Sequence, residues 1–137
     1  MQIKINSIQH IGIPVTNLKL SEAFYEGLGF KNVMSKHFEI NGNKGFVSMM
    51  QRDAMVMELY QMPEPELAEI RQRGNGHVDH VAFDVDDVEQ TYQTLKDNSY
   101  QMIEPAPVFL KFWQKGCKYF NIAGPDGERL EFNEIIR

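Results

Sequence analysis

One cysteine, Cys117, is all the chain carries. No disulfide can form within it, and a reducing compartment such as the cytoplasm is the matching expectation. Long apolar runs are missing too: nothing approaches the roughly 18 residues that would span a bilayer. Met1–Ser7 has neither the basic stretch nor the apolar segment of a secretory signal. Basic residues are in the minority, 14 against 19 acidic, for a net charge of -5. Phosphate binding needs clustered positive charge, so this balance argues against nucleic acid as the main partner. Low-complexity tracts are absent. What remains is an ordinary globular composition, 42% hydrophobic and 24% charged, in 137 residues. That length suits one domain, 1–137, with a real core.

Self-similarity organises the chain. Residues 8–30 read IQHIGIPVTNLKLSEAFYEGLGF and residues 78–100 read VDHVAFDVDDVEQTYQTLKDNSY. A shift of 70 carries His10 onto His80, Ile13 onto Phe83, Val15 onto Val85, Leu18 onto Val88 and Phe30 onto Tyr100. Ile11, Ile13 and Val15 alternate along a first strand, as do Val81, Phe83 and Val85 along its counterpart. Asn17 is placed to cap a helix whose Leu20, Phe24 and Leu28 recur at helical spacing. Asp86 with Glu89 has capping-box spacing ahead of an apolar stripe of Val88, Tyr92 and Leu95. Gly27 and Gly29, then Asn98-Ser99, suit the two helix exits.

Strands follow each helix: 32–40, 45–50 and 54–60 in the first half, 101–105, 118–123 and 129–135 in the second. Asn41-Gly42-Asn43, Arg52-Asp53 and Pro125-Asp126-Gly127 supply turns. The predicted fold is α+β, two tandem βαβββ modules, about 7–61 and 77–135. The linker 62–76 holds a short helix through Leu67 and Ile70 and ends in Gly74-Asn75-Gly76.

Strand parity then selects four residues. His10 and His80 stand on the faces opposite their apolar neighbours. Glu58 lies between Met57 and Leu59, and Glu131 between Leu130 and Phe132, so both carboxylates also leave the helix side. Each His opens its module and each Glu closes it. Two imidazoles and two carboxylates suit one divalent ion, whether Ni, Co, Zn, Mn or Fe(II). One such His alone is more often structural; the repeat-matched set of four is the signal.

The strings HIGIPVTNLKLSEAFYEGLGF, VMEL, VDHVAFDVDDVE and KYFNIAGPDGERLEF resemble the signature segments of the vicinal-oxygen-chelate superfamily. That superfamily includes glyoxalase I, bleomycin- and fosfomycin-resistance proteins, methylmalonyl-CoA epimerase and extradiol dioxygenases. The resemblance implies paired βαβββ modules forming a cleft around a metal, with His10, Glu58, His80 and Glu131 at the ligand positions of glyoxalase I. It also implies a homodimer, and in many small members each cleft draws on both chains; a monomer closing its own cleft is the alternative.

The chemistry implied is proton removal beside a metal-chelated carbonyl of a small substrate, by a glyoxalase-like lyase or isomerase. Glu131 is the first choice of base and Glu58 the second. Rival readings are an epimerase of an acyl-CoA or hydroxy acid, a thiol transferase opening an epoxide, an extradiol-type dioxygenase and a drug-binding protein of the bleomycin-resistance type. Glyoxalase I commonly has Arg where this chain has Pro14, and an Asn where Tyr60-Gln61-Met62-Pro63 stands, which removes two expected contacts to glutathione. The loop 106–116 offers Phe109, Phe112 and Trp113 with Lys111 and Lys115 as an apolar wall with cations. Phe46 and Met49 are further pocket candidates. His37 and His77 have no repeat partner and read as surface or turn residues, and Cys117 has no adjacent base to make it a nucleophile.

Overall fold

The computed structural model describes residues 1–73, 78–123 and 129–137. The predicted Gly74-Asn75-Gly76 and Pro125-Asp126-Gly127 turns, and His77, lie outside the described residues. Two compact units emerge, His10–Asp79, and Met1–Gln9 together with His80–Arg137. Both repeat one plan.

In the first unit, β1 (Ser7–Pro14) leads to α1 (Leu18–Gly27), followed by β2 (Lys31–Ile40), β3 (Asn43–Arg52) and β4 (Met55–Gln61). The strands order β2-β3-β4-β1. The two hairpins are antiparallel, and β1 closes the set parallel to β4. Asn41 and Gly42 turn the first hairpin with φ of 51° and 80°. Both values lie in the left-handed region that Asn and Gly tolerate best, which is why this pair occurs here. One sheet face meets α1 through Val15, Leu18, Met50 and Leu59, supported by Ile13, Tyr25, Phe30 and Met57. After β4, α2 (Glu66–Arg71) is held by buried Leu67 and Ile70, in the linker where a short helix was expected.

The second unit runs β5 (His80–Asp84), α3 (Val88–Asp97), β6 (Gln101–Met102), β7 (Val108–Leu110), β8 (Cys117–Ala123) and β9 (Arg129–Ile135). Here the order is β5-β9-β8-β6, with β7 also paired to β8. β5 is parallel to β9, as β1 is to β4. Its core is aromatic: the Phe120 and Phe132 rings stack at 5.2 Å, and Tyr92 meets Phe120 edge-on at 5.0 Å. Phe120 has no exposed surface. Burying such a ring contributes about 1.5–3 kcal/mol, with a further 0.5–1.5 for the ring pairs. Among the described residues no helix is long and apolar enough to cross a membrane.

Three expectations need correction. The cap of α3 is Asp87, not Asp86: Asp87 takes the extended conformation (φ -143°, ψ 96°) and accepts from the Gln90 N–H. Asn17 does the same at α1 (φ -145°, ψ 104°), accepting from Leu20 N–H. Asp86 instead binds Lys4 and Asn6. The apolar stripe of α1 faces outward: Leu20, Phe24 and Leu28 are 70%, 63% and 49% exposed. Its inner face is Leu18, Glu22 and Tyr25, with the Glu22 carboxylate accepting from Ser48 Oγ at 2.5 Å and Leu18 N–H donating to Gln61 Oε1 at 2.9 Å. Those partners satisfy the polar groups that the turn of the helix carries inward. Finally, the loop 106–116 contains β7, which adds an edge to β8.

Candidate metal centre

Each unit builds a buried imidazole–carboxylate pair by the same local rule. In the first, the β1–β4 register sets Gly12 opposite Glu58, with His10 two residues earlier on the same face. In the second, the β5–β9 register sets Ala82 opposite Glu131, with His80 two residues earlier. The residue facing each carboxylate is thus Gly or Ala, too small to fill the space between Glu and His. His10 Nε2 lies 3.8 Å from Glu58 Oε2, and His80 Nε2 lies 3.3 Å from Glu131 Oε2. The His10 and His80 side chains are almost fully buried.

These separations fit metal ligands. Two adjacent donors bound at about 2.1 Å lie about 3.0 Å apart in an octahedral shell and about 3.4 Å apart in a tetrahedral one; the 3.3 Å of His80–Glu131 falls in that range, and the 3.8 Å of His10–Glu58 is a few tenths wider. The charge balance fits as well. Burial raises the Glu131 carboxyl above its ordinary range, and although His80, the Asn133 amide and Arg129 pull it down and Glu104 pushes it up, desolvation dominates. A buried carboxylate needs a pairing partner or a cation to ionise, and a divalent ion is one group that could supply that charge.

The second pair has a supporting shell that parity alone did not single out. Asn133 Nδ2 donates to Glu131 Oε1 at 2.8 Å, leaving Oε2 toward His80. Gln9 Nε2 donates to Asn133 Oδ1 at 3.1 Å and so fixes which end of that amide meets the carboxylate. Asn121 faces Glu131 from β8, and its N–H and Nδ2 both donate to Glu104, at 2.6 and 2.8 Å. Its Oδ1 is buried with no partner. The signal for Asn133 was available, since it shares strand and parity with Glu131; Asn121 and Glu104 needed the register.

The pocket candidates separate. Met49 lies opposite Glu58 in the β3–β4 ladder, buried on the same face. Phe46 has the parity of Ser48 and Met50, which meet α1, so alternation sends it to the helix side, where it is 45% exposed. Phe109 pairs with Lys118, whose ammonium reaches Glu89 of α3, so it too departs from the expected pocket wall. Its neighbours Val108 and Leu110, opposite Tyr119 and Cys117, take the parity of Asn121 and Glu131 instead. Trp113 is partly buried with φ 63°, an uncommon left-handed backbone for a bulky residue, and Lys111 and Lys115 are exposed. His37 is exposed on β2, and Cys117 is fully buried.

Comparisons with known proteins agree with this architecture. A protein from Bacillus subtilis (strain 168), "Uncharacterized protein YwbC", is 29% identical over 127 residues, 91% of this chain and 94% of its own. The crystal structure of hypothetical protein BH1468 from Bacillus halodurans C-125 superposes with a TM-score of 0.77 at 26% identity, covering 98% of this chain and 97% of the other. Methylmalonyl-CoA epimerase from Mycobacterium tuberculosis has the same fold, with a TM-score of 0.78 at 18% identity over 100% of this chain and 93% of that one. The family model for the Glyoxalase/Bleomycin resistance protein/Dioxygenase superfamily matches residues 7–132. With nearly the whole chain matched, this protein belongs to the Glyoxalase/Bleomycin resistance protein/Dioxygenase superfamily.

Proposed function

We propose that the His10–Glu58 and His80–Glu131 pairs hold one divalent ion, and that the protein is a metal-dependent lyase or isomerase of a small carbonyl substrate. The observation that carries this reading is the twofold repetition of a buried imidazole facing a carboxylate across a Gly or Ala. A divalent ion bound there would supply Lewis acidity, acidifying the C–H next to a carbonyl chelated through neighbouring oxygens. His10 and His80 would each bind such an ion through a ring nitrogen.

Glu131 is the preferred base. Asn133 Nδ2 holds one of its oxygens, and the other, beside His80, is the one turned toward the proposed ion and substrate. Glu58 is the second carboxylate of the set. Substrate contacts fall to Met49, Lys111 and Trp113, with the lysine suited to a substrate carboxylate or phosphate.

A lyase-type outcome returns the proton to the neighbouring carbon. An epimerase outcome returns it to the opposite face of the same carbon, and the equivalent placement of one carboxylate in each module favours keeping this second reading. The test is deuterium exchange in D2O with metal-loaded protein and three substrate classes: hemithioacetals, hydroxy acids and acyl-CoA thioesters. Wash-in at the carbon beside the carbonyl is expected for one class, slowed about 10²–10⁴-fold by Glu131→Gln. Metal-loaded protein that exchanges none of them overturns the proposal. Return of the hydrogen to the same carbon with inversion selects the epimerase, and its delivery to the neighbouring carbon selects the lyase or isomerase.

A further inference from the structure

Beyond Asn133, the hydrogen-bonded chain that ends on Glu131 continues outward to a second carboxylate. Asp84 lies opposite Asn133 in the β5–β9 ladder and shares strand and parity with His80 and Ala82. Gln9 bridges the two. Its Nε2 donates to Asp84 Oδ1 at 3.4 Å, to Asn133 Oδ1 at 3.1 Å and to the Asn133 main-chain oxygen at 3.3 Å. Asn133 Nδ2 then donates to Glu131 Oε1 at 2.8 Å. On the far side of Asp84, Asn6 Nδ2 donates to Oδ2 at 2.9 Å and to Asp86 Oδ1 at 2.8 Å, while the Asn6 N–H donates to the Asp84 main-chain oxygen at 2.9 Å. Two side-chain amides thus stand between two carboxylates.

Such an arrangement has a direction. An ionised carboxylate only accepts hydrogen bonds, whereas an amide group offers donors on its nitrogen and an acceptor on its oxygen. Asp84 holds the Gln9 nitrogen on its side, the same nitrogen meets Asn133 Oδ1, and the Asn133 nitrogen is thereby turned to Glu131. Reversing either amide sets its oxygen against a carboxylate oxygen and forfeits a charge-assisted bond, about twice as strong as a neutral one. Gln9 and Asp84 are half-buried and Asn133 is buried, so water competes poorly for these groups. The fold does not demand the arrangement. A shift of 70 carries Asp84 back onto Pro14, and the shift of 73 that carries Glu131 onto Glu58 carries Asn133 onto Tyr60. The first module therefore has neither the outer carboxylate nor the amide at these positions.

We propose that Asp84 is a positioning residue for Glu131. Through Gln9 it fixes which end of the Asn133 amide meets that carboxylate, and so keeps the other Glu131 oxygen beside His80, at 3.3 Å from Nε2. The functional weight of this inference rests on the reading of His80 and Glu131 as metal ligands; the hydrogen-bond direction itself does not. Asp84→Asn tests it with almost no change of shape. Asn6 continues to donate to the oxygen of residue 84, which leaves the new nitrogen facing the Gln9 nitrogen. Donor then meets donor. Gln9 reverses to relieve the clash, Asn133 reverses in turn, and an amide oxygen is set against Glu131. Adding Asn6→Asp gives residue 84 an acceptor on the outer side and returns its oxygen to Gln9. Asp86, next to position 6, is already paired with Lys4.

Two readouts are made on the full chain. The first is the side-chain amide resonances of Gln9 and Asn133 in isotope-labelled, metal-free protein. They are expected to move in Asp84→Asn and to return toward the wild-type positions in the double variant. The second is titration with Co(II), followed by its visible absorption. Asp84→Asn is expected to weaken Co(II) binding about tenfold and to alter the band shape, and the double variant to recover most of both. Resonances unmoved by Asp84→Asn overturn the proposal. So does a Co(II) affinity and spectrum that Asp84→Asn leaves unchanged, or a double variant no closer to wild type than the single one. A wild type that takes up no Co(II) overturns the metal reading and the positioning role with it, whereas the resonances, read without metal, still decide the direction of the amides.

Discussion

Ala82 has no exposed surface and lies opposite Glu131 across the β5–β9 ladder, two residues on from His80. Gly12 stands in the same relation to Glu58 and His10. A larger side chain at either position would occupy the gap that the imidazole and carboxylate share. Ala82→Leu is expected to destabilise the fold by about 1–3 kcal/mol through overpacking. It is also expected to weaken metal binding at least tenfold, read by competition with a chromophoric chelator. Ala82→Gly, which leaves the gap open, should retain the metal.

The Asn133 amide gives Glu131 its orientation. Partners of this kind cost about 10–100-fold in affinity or activity when removed. Asn133→Leu is expected to fall in that range, while Gln9→Leu, one hydrogen bond further out, should cost less. Equal losses from both would contradict the ordering.

Burial holds the Glu131 carboxyl above its ordinary value. In the metal-free protein its contribution is therefore favourable at low pH, below the ordinary carboxylate range near 4.3, and is lost as pH rises through the raised folded value. Glu131→Gln removes the ionisation. The metal-free variant is expected to melt above the wild type at pH 7–8, the difference closing as the pH falls below about 4. With metal bound the order should reverse. Differential scanning calorimetry on chelated and reconstituted samples reads all three.

Asp87 caps α3 and Asp86 does not. Asp87→Ala should cost about 1 kcal/mol, or roughly 4 °C in Tm. Asp86→Ala, which removes only exposed contacts to Lys4 and Asn6, should cost less. A larger loss from Asp86 would contradict the assigned cap.

The repeat made much of this legible. His10, His80, Glu58 and Glu131 could be placed from strand parity because alternation survives burial on one face only. The facing of α1 could not be read from its own residues. Counting apolar positions favours Leu20, Phe24 and Leu28 as the buried stripe, whereas Glu22 goes inside because Ser48, from another strand, bonds its carboxylate. The shift of 70 did hold the answer, since it maps Glu22 onto buried Tyr92 and Asn17 onto Asp87. Strand β7 carries no sequence mark, because Val108-Phe109-Leu110 is three apolar residues beside Pro107 with no alternation. Asn121 and Glu104 meet across a turn of chain that no local pattern signals.

Metal content of protein purified without a chelator or a metal-binding tag bears most directly on the site. One divalent ion per site is expected in the wild type, lost in His80→Ala and in His10→Ala. A wild type that takes up no ion after reconstitution with Ni, Co, Zn, Mn and Fe(II) would contradict the account.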